Sequence, residues 1–263
     1  MVSFRGASAD AAAALAEQVS GSATVADDLF SVAATLRSEG SLRRFATDSS
    51  VPAEAKSGLV SGLLDGKVDA ATLELVKDAV ARRWTRTRDL ADALEQAGVV
   101  AAVRSSGDDA GRLVDELFTV RSTVGSNSDL RSALSDPARS AADKAALVDS
   151  LLAGKALPAT VALVKQALAG SFRTVSAALE DYEKVAADVH GQGVATVRVA
   201  RPLADGEQQR LADALSAQYG RSVHLNVVVD PEVLGGVKVE IGDDVIDGTI
   251  SSRLDAARRK IAG

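Results

Sequence analysis

The sequence predicts a mainly α-helical protein in which two fused N-terminal helical bundles precede a small C-terminal α/β domain. Hydrophobic residues make up 46% of the 263 residues but aromatic residues only 3%, so the cores must be built from Ala, Leu and Val. Ala and Leu are strong helix formers. The N-terminal part repeats itself, and strand-like alternation appears only after Gly193. We expect domains over residues 1–88, 89–190 and 191–263.

The internal repeat is the strongest pattern in the chain. Residues 25–32 (VADDLFSV) match residues 113–120 (LVDELFTV), an offset of 113 − 25 = 88. The same offset aligns 42–80 with 130–168 without a gap and gives 17 identities in 39 positions. Composition alone would give roughly a tenth. Because the offset leaves no linker, residues 85–105 must close the first bundle and lead into, or be shared with, the second.

Each copy is predicted to consist of helices joined by short turns. Apolar residues follow a helical period over 25–36. Gly66 and its repeat partner Gly154 are placed to end a helix. A long helix then follows in each copy, over 70–84 in the first and 159–172 in the second.

The pattern changes after Gly193, where apolar residues recur at every second position. This period is typical of β-strands. Gly220 ends a predicted helix that has an acidic first turn. We expect an order of strand, helix, three strands and helix, over 194–200, 205–219, 223–229, 237–241, 245–247 and 250–261.

Charge and composition exclude several classes of function. The chain has 36 acidic and 30 basic residues, a net charge of −6, which argues against a general nucleic-acid binder. It has no cysteine, so disulfides and thiolate chemistry are excluded. No signal-peptide pattern or membrane-spanning apolar run occurs. We therefore expect a soluble, cytoplasmic protein without a cofactor, whose association with a membrane depends on partners.

Residues 226–254 carry the most specific motif, NVVVDPEVLGGVKVEIGDDVIDGTISSRL. This segment resembles the signature of the ATP synthase delta subunit, or oligomycin-sensitivity-conferring protein, family. The resemblance is carried by Asp-Pro, Gly-Gly, an alternating strand and Asp-Gly-Thr before Arg-Leu. The matching positions are Asp230, Pro231, Leu234, Gly235, Gly236, Gly242, Asp247, Gly248, Thr249, Arg253 and Leu254. The family has one helical bundle, so this chain resembles a version with a duplicated bundle.

Catalytic interpretations of these residues are weaker than structural ones. Gly235-Gly236 precedes a strand rather than a helix, and no phosphate-binding loop motif occurs, so a turn or bulge is favoured over a phosphate cradle. Asp230 precedes proline and Asp247 precedes glycine, which favours turn and capping roles over an acid/base pair. We expect no catalytic activity.

The resemblance implies a connector in the peripheral stalk, or stator, of a rotary ATP synthase at the cytoplasmic face of the bacterial plasma membrane. The family's helical bundle holds the N-terminal helix of an alpha subunit in a groove. Its C-terminal domain engages the C-terminal helices of the b subunits. Candidate groove residues lie on the first and second long helices and are Leu15, Val76, Val80, Val164 and Leu168.

The duplication leaves two hypotheses open. Each bundle could take one alpha N-terminal helix, or one copy could have become a spacer. Arg83 of copy one is replaced by Ser171 in copy two, which favours the spacer. A helical-repeat adaptor unrelated to ATP synthase also remains an alternative, as does a small-molecule enzyme, although the residues for catalysis are missing.

Overall fold

A computed structural model describes residues 4–242, 244–250 and 252 of the chain. The chain divides into two compact units, one up to Ala186 and one from Ala187 onwards. The first unit is helical, and all described strands lie in the second, as the change of pattern after Gly193 predicts. The fold is mainly α-helical, which confirms the predicted class.

The helical unit contains eleven α-helices among its described residues, the last of which crosses the unit boundary. Copy one comprises α1 (Ala7–Gln18), α2 (Ala23–Ser38), α3 (Gly40–Thr47), α4 (Ala53–Leu64) and α5 (Ala70–Ala81). The sequence continues with α6 (Asp89–Ser105), α7 (Ala110–Ser126), α8 (Ser128–Ser135), α9 (Ala141–Leu152), α10 (Pro158–Ala169) and α11 (Val175–Val189). A short 3-10 turn over Gly107–Asp109 precedes α7.

The 88-residue offset is reproduced in the helix boundaries. Adding 88 to the bounds of α3, α4 and α5 gives the bounds of α8, α9 and α10. Gly66 and Gly154 follow α4 and α9 with φ values of 70° and 73°, a left-handed conformation that glycine adopts without a steric penalty. The two turns therefore have the same geometry because the repeat preserves the one residue type that suits it.

Helix α6 is the centre of the helical unit. Thirteen of its 17 residues are buried, including Leu90, Leu94 and Val103. It packs against α1, α2 and α5 of copy one and against α7 and α10 of copy two. The same helix therefore closes the first bundle and opens the second, as the absence of a linker predicts.

The second unit is a four-stranded sheet with one helix. Strand β1 (Gly193–Val199) pairs in parallel with β2 (Val223–Val229) and antiparallel with β3 (Val237–Ile241), and β3 pairs antiparallel with β4 (Asp244–Asp247). The strand order is β2-β1-β3-β4. Helix α12 (Asp205–Tyr219) supplies the parallel crossover and ends at Gly220 in the left-handed conformation.

Alternation along β1 places one face of the sheet in the core. Ala195, Val197 and Val199 are buried and pack with Leu215 of α12. The final helix predicted over 250–261 lies mostly outside the described residues. In the described part of the chain, no helix is long and apolar enough to cross a bilayer.

Trp84, the only tryptophan of the sequence, aligns with Phe172 at the 88-residue offset. Trp84 is half-buried, and its Nε1 donates a hydrogen bond of 2.8 Å to the carbonyl oxygen of Ala79. Its repeat partner Phe172 packs edge-on against Tyr182, with 5.8 Å between the ring centroids. Among the described residues Phe172 has an aromatic partner and Trp84 has none, so the two half-buried side chains have different surroundings.

Candidate partner-binding faces

The predicted groove residues lie on α1, α5 and α10, but four of them belong to the core. Leu15, Val76, Val80 and Val164 are each 2% exposed or less, and Leu168 is half-buried. A partner helix could reach the four buried side chains only if the surrounding helices separated. Their use in binding stays a prediction.

The outer faces of α1 and α5 are formed by smaller and charged residues. Asp10 and Ala13 on α1 are exposed, and so are Ala71 and Glu74 on α5. These residues recur at three-residue spacing, so each pair lies on one side of its helix. The two helices also contact each other, and their exposed sides form what we call the copy-one groove.

A cleft of about 220 Å³ lies at one end of the copy-one groove. Its walls combine apolar and polar side chains from α1, the following turn, α2 and α5. The lining residues are Gln18, Val19, Ser20, Val25, Ala71, Glu74 and Leu75. An apolar side chain of a partner helix could enter it, because Val19, Val25 and Leu75 form an apolar wall.

A buried polar network joins the two copies through α6. Arg37 of α2 contacts Asp92 at 3.0 Å and also pairs with Glu95, which is 4% exposed. Gln166 of α10 donates to Glu95 Oε1 at 2.9 Å. Tyr182 of α11 donates to the same oxygen at 3.4 Å. Burial, followed by the charge of Glu95, raises the pKa of the Tyr182 hydroxyl well above its usual value, so this hydroxyl stays a donor.

A second buried carboxylate lies within copy two. Glu183 of α11 accepts two hydrogen bonds from Arg121 of α7, at 2.7 and 3.1 Å. Burial raises the pKa of Glu183, and the hydrogen bonds and charge of Arg121 oppose that change. The pair fixes α7 against α11. Among the described residues, no group of three or more acidic or histidine side chains could hold a metal ion.

Two aspartates of the family signature hold turns in the second unit. Asp230 accepts a hydrogen bond from the backbone N–H of Glu232 at 2.9 Å, in the turn that contains Pro231. Asp247 accepts from the backbone N–H and the hydroxyl of Thr249, at 2.9 and 2.7 Å. The Thr249 hydrogen bonds lower the pKa of Asp247. Both aspartates therefore hold backbone geometry rather than face one another as an acid/base pair.

The glycines of the signature permit a close approach of two chain segments. A Cβ on Gly236, which has φ 85°, would lie 2.5 Å from the carbonyl oxygen of Gly248. Gly248 donates to the Val237 carbonyl at 2.9 Å, and Ile250 donates to the Gly235 carbonyl at 3.0 Å. The pair of glycines thus anchors the segment after β4 rather than a phosphate. Gly242 forms the β3–β4 turn with φ 58°, and Arg253 and Leu254 lie outside the described residues.

These turns leave large apolar side chains exposed on the second unit. Leu234 is 72% exposed and Val245 is 58% exposed. We call the exposed apolar residues on β4 and in the segments next to β3 and β4 the signature patch; they are Leu234, Val245, Ile246 and Ile250. Val229, on β2, lies at the opposite edge of the sheet and is not part of it. Exposed apolar residues at one edge of a sheet mark binding surfaces more often than ordinary surface.

Sequence reasoning missed the residues that line the open faces. It selected large apolar residues with helical spacing, and four of the five lie in the core. The exposed positions Asp10, Ala71 and Glu74 carry no such periodic signal. They could have been found by comparing the two copies, because the equivalents of Asp10 and Glu74 in copy two are Gly98 and Ala162.

Known proteins are similar to this chain over nearly its whole length. Residues 96–261 match the family model for the ATP synthase delta (OSCP) subunit. A protein of a Nocardioides species named ATP synthase subunit delta is 61% identical, covering 99% of this chain and 98% of its own. Proteins of the same name from Thermobifida fusca and Streptomyces coelicolor are 42% and 40% identical, covering 92% and 100% of this chain and 91% and 100% of their own.

The family match begins within α6, so it covers copy two and the second unit. Copy one lies before the matched segment. A chain in the structure of the Toxoplasma gondii mitochondrial ATP synthase hexamer is similar at 20% identity with a TM-score of 0.33, covering 59% of this chain and 97% of that one.

Proposed function

The chain belongs to the ATP synthase delta (OSCP) subunit family, and on this premise we propose that it is the non-catalytic stator connector of a rotary, proton-translocating ATP synthase. The observation that carries the proposal is the match along nearly the full length to a protein named ATP synthase subunit delta, at 61% identity. This relationship rules out the adaptor unrelated to ATP synthase. The proposed location is the cytoplasmic face of the bacterial plasma membrane, where partner subunits hold the chain.

The helical unit is proposed to bind the N-terminal helix of an alpha subunit. A groove between two helices can hold an amphipathic helix through apolar residues at i, i+3, i+4 and i+7. The copy-one groove offers alanines and a cleft of about 220 Å³ for such residues, with charged residues at its edges. A firm attachment of this kind would stop the catalytic head from turning with the rotor.

The second unit is proposed to bind the C-terminal helices of the b subunits. The signature patch supplies apolar area, and the turns formed by Asp230, Gly236 and Asp247 hold it in place. Burying one large aliphatic side chain contributes about 1.5–3 kcal/mol. A few such contacts suffice for a stable attachment to a helix end.

Charge substitution in the signature patch tests the proposed attachment to the b subunits. Leu234→Asp combined with Val245→Asp should weaken binding of a peptide from the C-terminus of the b protein at least about tenfold, because two apolar contacts are lost. Leu151→Asp is the matched control, since Leu151 is an apolar residue of the helical unit that is 42% exposed. Equal binding by the patch variant and the unsubstituted chain, measured by titration calorimetry, would overturn the assignment.

The non-catalytic role has its own test. The purified chain should not hydrolyse ATP, and adding it back to a stalk-depleted ATP synthase should restore coupling of hydrolysis to proton transport. If the chain alone hydrolysed ATP, and if inactivating mutations in any contaminating head subunit left that rate unchanged, the proposal would be contradicted.

A further inference from the structure

Equivalent helices of the two copies differ in which faces are open. Helix α1 of copy one and α6 of copy two occupy the same place in the repeat. Asp10 and Ala13 of α1 are exposed, whereas their equivalents Gly98 and Ala101 of α6 are buried. The same side of the first helix is therefore open to solvent in copy one and covered in copy two.

The second helix of the groove shows the same difference. Ala71 of α5 is exposed, whereas its equivalent Ala159 of α10 is 7% exposed. Exposed Glu74 corresponds to half-buried Ala162. Likewise, half-buried Asp78 corresponds to Gln166, which is 8% exposed. We call the equivalent faces of α6 and α10 the copy-two groove. On both helices these faces are buried or half-buried.

Helix α2 of copy one covers the copy-two groove. It packs along α6 and also contacts α10. The ring of Phe30 lies so close to α6 that a Cβ on Gly98 would be 2.6 Å from Phe30 Cε1. Seven residues later, Arg37 pairs with Glu95 and Asp92 of α6. An apolar anchor and a basic residue two turns apart thus hold α2 in place.

We infer that α2 fills the copy-two groove from within the chain, so that each chain accepts one external helix, in the copy-one groove. This inference rests on the proposed function for the identity of that helix and decides between the two hypotheses that the duplication leaves open. Copy two then provides a surface against which α2, and with it copy one, packs. The bundle with the open groove is the one that lies outside the residues matched by the family model.

The chemistry of the two grooves indicates the charge of the external helix. Asp10, Glu74 and Asp78 of the copy-one groove are replaced by Gly98, Ala162 and Gln166 in copy two. Two of these acids have local partners, since Glu74 pairs with Lys77 at 2.9 Å and Asp78 with Arg82 at 2.7 Å. Because the copy-one groove carries acidic side chains at these three positions, the external helix should place Lys or Arg opposite them. Exposed pairs of this kind contribute modestly to affinity and mainly select the partner.

Thiol accessibility tests the filled groove without any partner. The chain has no cysteine, so Ala71→Cys and Ala159→Cys each introduce a single thiol at equivalent positions. We expect a maleimide to label the Ala71→Cys variant at least about tenfold faster, because a buried thiol reacts only when the groove opens. Equal labelling rates in two folded variants would show that α2 does not fill the copy-two groove, and would overturn the inference.

Titration of the full chain with a peptide from the N-terminus of the alpha protein tests how many external helices one chain binds. We expect one peptide per chain and protection of the Ala71→Cys thiol from labelling. Asp10→Lys combined with Glu74→Lys should weaken binding about tenfold, whereas Glu54→Lys on exposed α4 should leave it unchanged. Two peptides per chain would overturn the inference and retain the proposed function.

The remaining outcomes separate the two proposals. If no peptide binds while the two thiols still differ in rate, the alpha partner is wrong and the filled groove stands. If one peptide binds but leaves the Ala71→Cys thiol reactive and ignores the double lysine variant, the site is elsewhere on the chain and the copy-one groove is excluded.

Discussion

Replacing Arg37 with alanine removes the positive charge that joins copy one to the buried carboxylate of α6. Arg37 lies 3.0 Å from Asp92 and also contacts Glu95, whose side chain is 4% exposed. Loss of one partner from a buried ion pair costs about 3–5 kcal/mol. Arg37 is itself 25% exposed, and Glu95 keeps its hydrogen bond from Gln166. We therefore expect the free energy of unfolding to fall by about 2 kcal/mol.

Urea denaturation followed by far-ultraviolet circular dichroism measures this change. Arg112→Ala is the control, because Arg112 is 53% exposed and pairs with Glu116 within a single helix. Such a pair contributes about 0.3–0.5 kcal/mol. Glu95→Gln in the Arg37→Ala background should recover part of the loss, because it removes the charge that the first substitution leaves unpaired.

Two results would refute this reasoning. A loss for Arg37→Ala no larger than that for Arg112→Ala would mean that the network contributes no more than a surface pair. A double variant whose loss equals the sum of the two single losses would mean that Arg37 and Glu95 are energetically independent.

Two further changes probe the other copy and the second unit. Glu183→Gln should flatten the pH dependence of stability above about pH 4.5. Burial raises the folded-state pKa of Glu183, although the partner Arg121 opposes this change. The protonated carboxyl therefore stabilises the folded state below that pH, and this stabilisation is lost as the pH rises through the folded-state pKa. Denaturation at several pH values measures this, and an unchanged slope would contradict it. Gly236→Ala should destabilise the second unit by at least about 1–2 kcal/mol, because φ is 85° and the new Cβ would lie 2.5 Å from the Gly248 carbonyl oxygen. Gly206→Ala, where nothing lies within 4 Å, is its control in thermal unfolding; equal losses in the two variants would contradict the explanation.

The sequence alone determined the elements and their repetition. The 88-residue offset predicted that the helices after residue 40 would recur, and the bounds of α3, α4 and α5 recur without a shift in α8, α9 and α10. Alternation predicted the strands over 223–229 and 237–241 with their observed bounds. These features follow from local periodicity, which each segment carries in its own residues. The family signature likewise identified the chain from a continuous segment.

Only the tertiary structure decided which faces are open. Leu15 and Val76 are apolar and have the helical spacing expected of groove residues, yet they are buried. Core and groove residues are both apolar, and they differ only in whether a neighbouring element packs against them. Asp10 and Gly98 occupy equivalent positions, but one faces solvent and the other faces Phe30. That difference arises because α6 is shared: it has neighbours from both copies, whereas α1 has neighbours from one. The exposure of a repeated position is thus set by the elements that fold against it. These elements come from either side of the repeat, so the periodicity within one copy does not show the exposure, and only a difference between the two copies hints at it.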